Sequence, residues 1–219
     1  MGKSHAQAPL SKGKQTLLDL PDPELRSPDL PGAEVSYHPN VFAQEESDRL
    51  LAALLATIPW RQNHIRFYGK ESLVPRLESW HGNPGKSYAY SGIRLDPEPW
   101  TPELLAIKER AEKLAGVTFN SVLLNHYRDG ADRVAWHSDD EPELGPRPVI
   151  ASVSFGAERR FRLRHKEYKS NGEPVCELPL ASGSVLLMAG ETQTNWKHEV
   201  PRVSRPIGPR VNLTFRVIR

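Results

Sequence analysis

Cysteine is nearly missing from this chain: Cys176 is the only one, so no disulfide can form within it, and a reducing compartment is the simplest setting. Long apolar runs are missing too. Stretches such as Ser184 to Ala189 fall far short of the roughly 20 residues a membrane-spanning helix requires, so no membrane partner is expected. The N-terminal lysines are not followed by an apolar segment, which argues against a secretory signal. A cytoplasmic protein is expected, or a nuclear one in a eukaryotic cell. Internal repeats and low-complexity tracts are absent, and 219 residues suit a single domain with a substantial core. A monomer is expected.

Strong net charge is lacking as well, at +2, but the balance is uneven along the chain. Residues 159 to 219 hold 12 Lys/Arg against 5 Asp/Glu, while the other 158 residues hold 17 against 22. A solvated charged face and a polyanion-binding surface fit that excess equally well.

What is present begins with prolines. Pro9, Pro21, Pro23, Pro28 and Pro31, with scattered lysines and no apolar period, mark residues 1–33 as an arm that cannot bury enough surface to order itself. Residues 34–219 then form one domain. Leu50, Leu51, Leu54, Leu55 and Ile58 recur at helical spacing opposite Glu45, Glu46, Asp48 and Arg49, which predicts an amphipathic helix from Gln44 to Thr57. A second helix is predicted to start at Thr101 as N-cap, with Pro102 at the first helical position, and to end at Gly116. Leu104, Ile107, Ala111 and Leu114 supply its buried stripe.

Between the helices, about 60–100, aromatic and basic residues interleave. Phe67-Tyr68-Gly69-Lys70 reads as a hairpin tip, Asn83-Pro84-Gly85 as a turn, and Tyr88 and Tyr90 share one face of a strand. Tyrosines so placed are more often core than binding site. Here Arg61, Arg66, Lys70, Arg76 and Lys86 surround them, which is the composition that stacking on nucleobases needs.

From about 117 to 219 the period is two. Phe119 to Tyr127, Val149 to Phe155, Arg159 to Arg164, Val175 to Leu180, Ser184 to Met188 and Arg210 to Val217 read as strands. Turn signals stand at Asp129-Gly130, Gly145-Pro146, Asn171-Gly172 and Ser182-Gly183. The expected fold is mostly β with flanking helices, a sandwich or jelly roll.

His137 and Asp139 have the i, i+2 spacing that turns two side chains to one side at a strand end. With His198 they make two histidines and one carboxylate, the facial triad of non-haem Fe(II) oxygenases. His-x-Asp alone arises by chance in many chains. The strand Arg210-Val211-Asn212-Leu213-Thr214-Phe215-Arg216 supports it. Alternation puts Arg210, Asn212, Thr214 and Arg216 on one face. If that face is buried, two guanidinium groups require an anion beside them. A dicarboxylate chelating the metal at one end and meeting arginine at the other satisfies both groups. Asn125 and Tyr127 share a face of an earlier strand and add hydrogen bonds.

These motifs resemble the AlkB family of Fe(II)- and 2-oxoglutarate-dependent dioxygenases, most closely the branch with the animal homologue that repairs duplex DNA. The resemblance rests on Asn125-His126-Tyr127-Arg128-Asp129-Gly130, His137-Ser138-Asp139-Asp140-Glu141, Ala151-Ser152-Val153-Ser154-Phe155-Gly156, Arg164-His165-Lys166 and Arg210 to Arg216, in order. It implies a double-stranded β-helix with Fe(II) on His137, Asp139 and His198. 2-Oxoglutarate would sit among Asn125, Tyr127, Arg210, Asn212, Thr214 and Arg216, and O2 would be the oxidant. The implied reaction is oxidative demethylation of N-alkylated bases of the 1-methyladenine and 3-methylcytosine type in nucleic acid, DNA ahead of RNA. Phe67, Tyr68 and Gly69 match the hairpin that fills the gap left by a flipped base. Tyr88 and Tyr90 match the base pocket, with Asp140 and Glu141 at the base's polar edge. The family's duplex reader has Phe where this chain has Tyr68 and Tyr90. Two other readings stay open: the same core acting on RNA, a protein or a small molecule, and a non-catalytic nucleic-acid-binding module.

Overall fold

The computed structural model describes residues 27–67, 70–85, 88–90, 93–172 and 174–219. Two antiparallel sheets face each other. The larger has the order β1 (Glu34–His38), β12 (Ser184–Ala189), β9 (Ile150–Gly156), β14 (Arg210–Arg216), β7 (Ser121–Tyr127), β4 (Leu77–Gly82). The smaller runs β11 (Cys176–Leu180), β10 (Arg159–His165), β13 (Trp196–Val200), β8 (Val134–His137). Two hairpins stand apart, β2 (His64–Phe67) with β3 (Lys70–Leu73), and β5 (Tyr88–Tyr90) with β6 (Ile93–Leu95). The helices are α1 (Gln44–Thr57), α2 (Pro102–Ala115) and the single turns α3 (Tyr168–Asn171) and α4 (Thr192–Asn195).

Helix α2 forms where local chemistry asks for it. Thr101 Oγ1 accepts the Leu104 N–H at 3.3 Å, and Gly116 closes α2 at φ 68°, a left-handed turn that glycine takes without steric cost. The helices lie on the outer face of the large sheet. Leu54, Leu104, Ile107 and Ala111 pack there against Val122, Leu124, Val153, Phe155, Val211, Leu213 and Phe215. Each such large side chain contributes about 1.5–3 kcal/mol by leaving water. Leu114, expected in that stripe, lies at its margin and is 37% exposed.

Strand alternation sends the other residues of β14 between the sheets, where a second core of Tyr37, Ile150, Phe161, Leu163, Leu186, Met188 and Trp196 surrounds them. Leu30 and Ala33, in the stretch read as an arm, pack against this second core, and Trp196 donates its indole N–H to the Pro31 carbonyl at 3.0 Å. Residues 1–26 lie outside the described residues.

His81 on β4 is 1% exposed; its Nδ1–H donates to the Pro99 carbonyl at 2.7 Å and its Nε2 meets Ser79 Oγ at 3.0 Å. Burial pushes its pKa below the ordinary 6.5, outweighing the Pro99 hydrogen bond and the Glu98 charge that pull upward. A histidine with a depressed folded pKa adds stability above its unfolded pKa, and that stability is lost as pH falls through the folded one. The urea midpoint is therefore expected to drop between pH 7.5 and pH 5.5. His126 and His198, also depressed, act in the same direction, so comparison with His81→Asn isolates the His81 share as a smaller drop.

Candidate active site

Strand β13 carries His198 and pairs with β8, whose last residue is His137, so the two histidines are cross-strand partners. Their ring centroids are 4.2 Å apart. The chain leaves β8 after His137, and Ser138 Oγ donates to the Trp196 carbonyl at 2.9 Å, drawing the next residue inward. Asp139 is thereby buried, with Oδ1 3.7 Å from His137 Nε2. One ligand atom from each of His137, Asp139 and His198 lies within 4.8 Å of the others, close enough to hold one metal ion.

The protonation states suit a metal. His137 Nδ1–H donates to the Ala135 carbonyl at 2.8 Å, which leaves Nε2 as the ligand nitrogen. Burial pushes the His198 pKa down to about 3, so its imidazole is neutral. Phe161 stacks on that ring at 5.1 Å. Burial alone would raise the Asp139 carboxyl, but the Arg216 guanidinium beside it holds it well below the usual carboxylate range. Arg216 Nη2 is 2.9 Å from Asp139 Oδ2.

The polar face of β14 is buried throughout: Arg210, Asn212, Thr214 and Arg216 are each at most 7% exposed. Arg210 and Asn212 sit directly opposite Tyr127 and Asn125 of β7. Asn212 Nδ2 donates to Ser152 Oγ at 2.8 Å and to the Val153 carbonyl at 3.0 Å, while Thr214 Oγ1 donates to Asn212 Oδ1 at 3.1 Å. Arg210 lies 5.0 Å from the Tyr127 ring centroid and donates through Nη2 to Ser154 Oγ at 2.9 Å. Its Nε and Nη1 are buried and have no acceptor among the described residues. A fully buried cation with two idle donors requires an anion.

Residues 125, 127, 137, 139, 198, 210, 212, 214 and 216 line one cavity. The triad offers one face of an octahedron, and Arg210 stands ready for a carboxylate, so the residues fit Fe(II) and 2-oxoglutarate together. Sequence reasoning missed Arg76, Ser152 and Ser154. The two serines alternate along β9, and that polar period was their signal. Arg76, read from the sequence only as one of the basic residues interleaved with aromatics, is buried; it pairs with Glu78 at 2.6 Å and donates to Asn125 Oδ1 at 2.7 Å. Arg159, Arg210 and Arg216 are buried too, so the basic excess of the C-terminal third is partly interior rather than a surface.

Of the other expected site residues, Asp140 and Glu141 do not line this cavity. Asp140 faces Lys166 across 3.1 Å with its side chain 60% exposed. Glu141 keeps Oε2 buried without a hydrogen-bond partner among the described residues. Tyr68 and Gly69 lie outside the described residues, and Phe67, Tyr88 and Tyr90 are placed by backbone alone.

Facing antiparallel sheets, a two-histidine one-carboxylate set and a buried arginine at the far end define a non-haem iron, 2-oxoacid-dependent oxygenase. The chain belongs to the 2OG-Fe(II) oxygenase superfamily, whose family model matches residues 34–216, and its cofactors are Fe(II), 2-oxoglutarate and O2. Human DNA oxidative demethylase ALKBH2 is 41% identical over 194 residues, covering 85% of this chain and 74% of that protein. Mouse alpha-ketoglutarate-dependent dioxygenase alkB homolog 3 is 43% identical over 195 residues, 85% of this chain and 66% of its own length. A solved structure of OsALKBH1 superposes with a TM-score of 0.59 at 15% identity, over 88% of this chain and 99% of that one, which speaks for the fold alone. Among the described residues no helix is long and apolar enough to cross a membrane.

Proposed function

We propose that this protein removes alkyl groups oxidatively from N-alkylated bases of the 1-methyladenine and 3-methylcytosine type in DNA. The observation that carries the reading is that His137 belongs to two spaces at once. It lines the cavity with Asp139, His198 and Arg210, and it also lines an outer cleft of about 320 Å³ with Ser72, Leu73, Val74 and Trp136. That volume is at the low end for ligand-sized clefts and suits one flipped base. The relatives named as DNA oxidative demethylases favour DNA over RNA as the source of that base.

In this reading His137, Asp139 and His198 hold the iron, and Arg210 clamps the distal carboxylate of 2-oxoglutarate. Asn125, Tyr127, Asn212, Thr214 and Arg216 complete the co-substrate wall. When bound there, iron with 2-oxoglutarate and O2 would supply the oxidising equivalent for hydroxylation of the N-alkyl carbon, with succinate and CO2 as the other products. The N–C bond of the resulting hemiaminal then breaks, the carbon leaves as formaldehyde, and the hydroxyl proton returns to the base. Arg216 keeps Asp139 ionised and His198 stays neutral, so both present lone pairs to the metal. Tyr68 would fill the gap in the stack, and Tyr90 with His137 would hold the extruded base, with Tyr88 beside it and Asp140 and Glu141 at its polar edge.

Mass spectrometry of oligonucleotides carrying 1-methyladenine, 3-methylcytosine or an etheno adduct, in single-stranded and duplex form, tests this. With Fe(II), ascorbate and 2-oxoglutarate, the methylated strands should lose one methylene mass each and unmodified strands none. Turnover of 2-oxoglutarate without change in any DNA would turn the reading toward RNA, a protein or a small molecule.

A further inference from the structure

Asp139 lies beyond the end of β8, outside any strand or helix, yet is 3% exposed. What holds its backbone comes from α4, 54 residues later. Gln193, 2% exposed, accepts the Asp139 N–H with Oε1 at 2.9 Å. Its Nε2 donates to Met188 Sδ at 3.5 Å, a weak acceptor in the wall of the metal cavity. The tethering of α4 to its surroundings is done by other residues. Thr192 accepts the Glu34 N–H at 2.9 Å and donates to the Ala189 carbonyl at 2.6 Å, and Asn195 donates to the Gly32 carbonyl at 3.1 Å. The one strong hydrogen bond of Gln193 is thus spent on the amide of Asp139.

We propose that Gln193 is a positioning residue for the metal. It fixes the Asp139 backbone so that Oδ1 faces the two histidines while Oδ2 stays with Arg216. Without that acceptor the carboxylate is drawn toward Arg216, because the 2.9 Å ion pair persists while the Asp139 amide has lost its restraint and the Ser138 hydroxyl, bonded to the Trp196 carbonyl, holds only the neighbouring residue. Partners that orient a metal ligand typically carry 10–100-fold in metal affinity. The inference rests on the reading of His137, Asp139 and His198 as the metal set.

The test uses the full chain and Mn2+ alone, an oxygen- and nitrogen-binding octahedral ion, with free Mn2+ read by electron paramagnetic resonance. Gln193→Met keeps the length of the side chain and its apolar neighbours and removes the acceptor. Its Mn2+ Kd is expected to rise about 10–100-fold, while the thermal midpoint of the metal-free protein falls by only a few degrees, the cost of the orphaned Asp139 N–H. An unchanged Kd overturns the proposal. Ser138→Ala loosens the same segment without touching the Asp139 amide, and a rise in Kd as large as that of Gln193→Met would reduce Gln193 to general stiffening and overturn it as well. Should Gln193→Met not fold, Gln193→Asn, which withdraws the amide by one methylene, is read in the same way. Asp139→Ala separates the two levels: if it binds Mn2+ as the wild type does, the metal reading itself fails.

Discussion

Replacing either His137 or Asp139 by alanine should bring 2-oxoglutarate turnover to background, but only the aspartate variant should lose stability. Each removes one of three ligand atoms that lie within 4.8 Å, and two remaining ligands do not hold an ion in a fixed octahedral face. Their surroundings differ. The His137 side chain is 28% exposed and its hydrogen bond within the protein is to a nearby carbonyl, so its loss leaves little behind. Asp139 and Arg216 are each 4% exposed at the side chain, and the ion pair joins them across 2.9 Å. Truncating one partner of a buried pair costs about 3–5 kcal/mol, because the remaining charge keeps its desolvation penalty. For a domain of this size that is on the order of 10 °C in thermal midpoint. Calorimetry of the two metal-free variants beside a succinate assay checks the contrast. Retained iron-dependent turnover in either variant, or equal midpoints, would break the account of the triad.

The triad was legible as residue types and not as a place. His-x-Asp, weak by itself, gained weight because the polar face of β14 demanded an anion, and that face could be read because seven residues alternate without a break. The strands that bring His137 and His198 together were not legible. Strand β8 is four residues at a sheet edge, and β13, Trp-Lys-His-Glu-Val, carries three polar residues and a register shift after His198. Neither has the apolar run or clean alternation that a strand reading needs. Strand β1, Glu-Val-Ser-Tyr-His on the edge of the other sheet, does alternate cleanly, but its five residues were too short a run to stand out beside the proline-rich stretch before it. Helix α2 was legible to the residue because Thr101, Pro102 and Gly116 act within one turn of chain. Arg76 and Gln193 owe their roles to partners 49 and 54 residues away, and no local pattern announces such a contact.

Arg210→Met should abolish 2-oxoglutarate binding and leave the metal-free protein as stable as before or more so. The guanidinium is 1% exposed, burial depresses its pKa, and two of its donors have no acceptor among the described residues. Such a group is a standing cost in the metal-free fold, and apolar replacement of a buried charge is commonly neutral or stabilising by about 1–4 kcal/mol. Methionine keeps the length and can pack on the Tyr127 ring that Arg210 now covers at 5.0 Å. The co-substrate reverses the balance, since a buried carboxylate–guanidinium pair is bidentate and charge-assisted. Removing it should raise the KM for 2-oxoglutarate by at least about 100-fold, the equivalent of roughly 3 kcal/mol. A thermal-shift titration with Mn2+ present reads both effects. The wild type should gain stability with added 2-oxoglutarate, and Arg210→Met should begin at an equal or higher midpoint and gain nothing. Binding to methylated oligonucleotide, measured by gel mobility, should be unchanged. A variant that starts well below the wild type would show that Arg210 serves the fold, and equal losses of co-substrate and DNA binding would show that it does not sit at the co-substrate's end of the cavity.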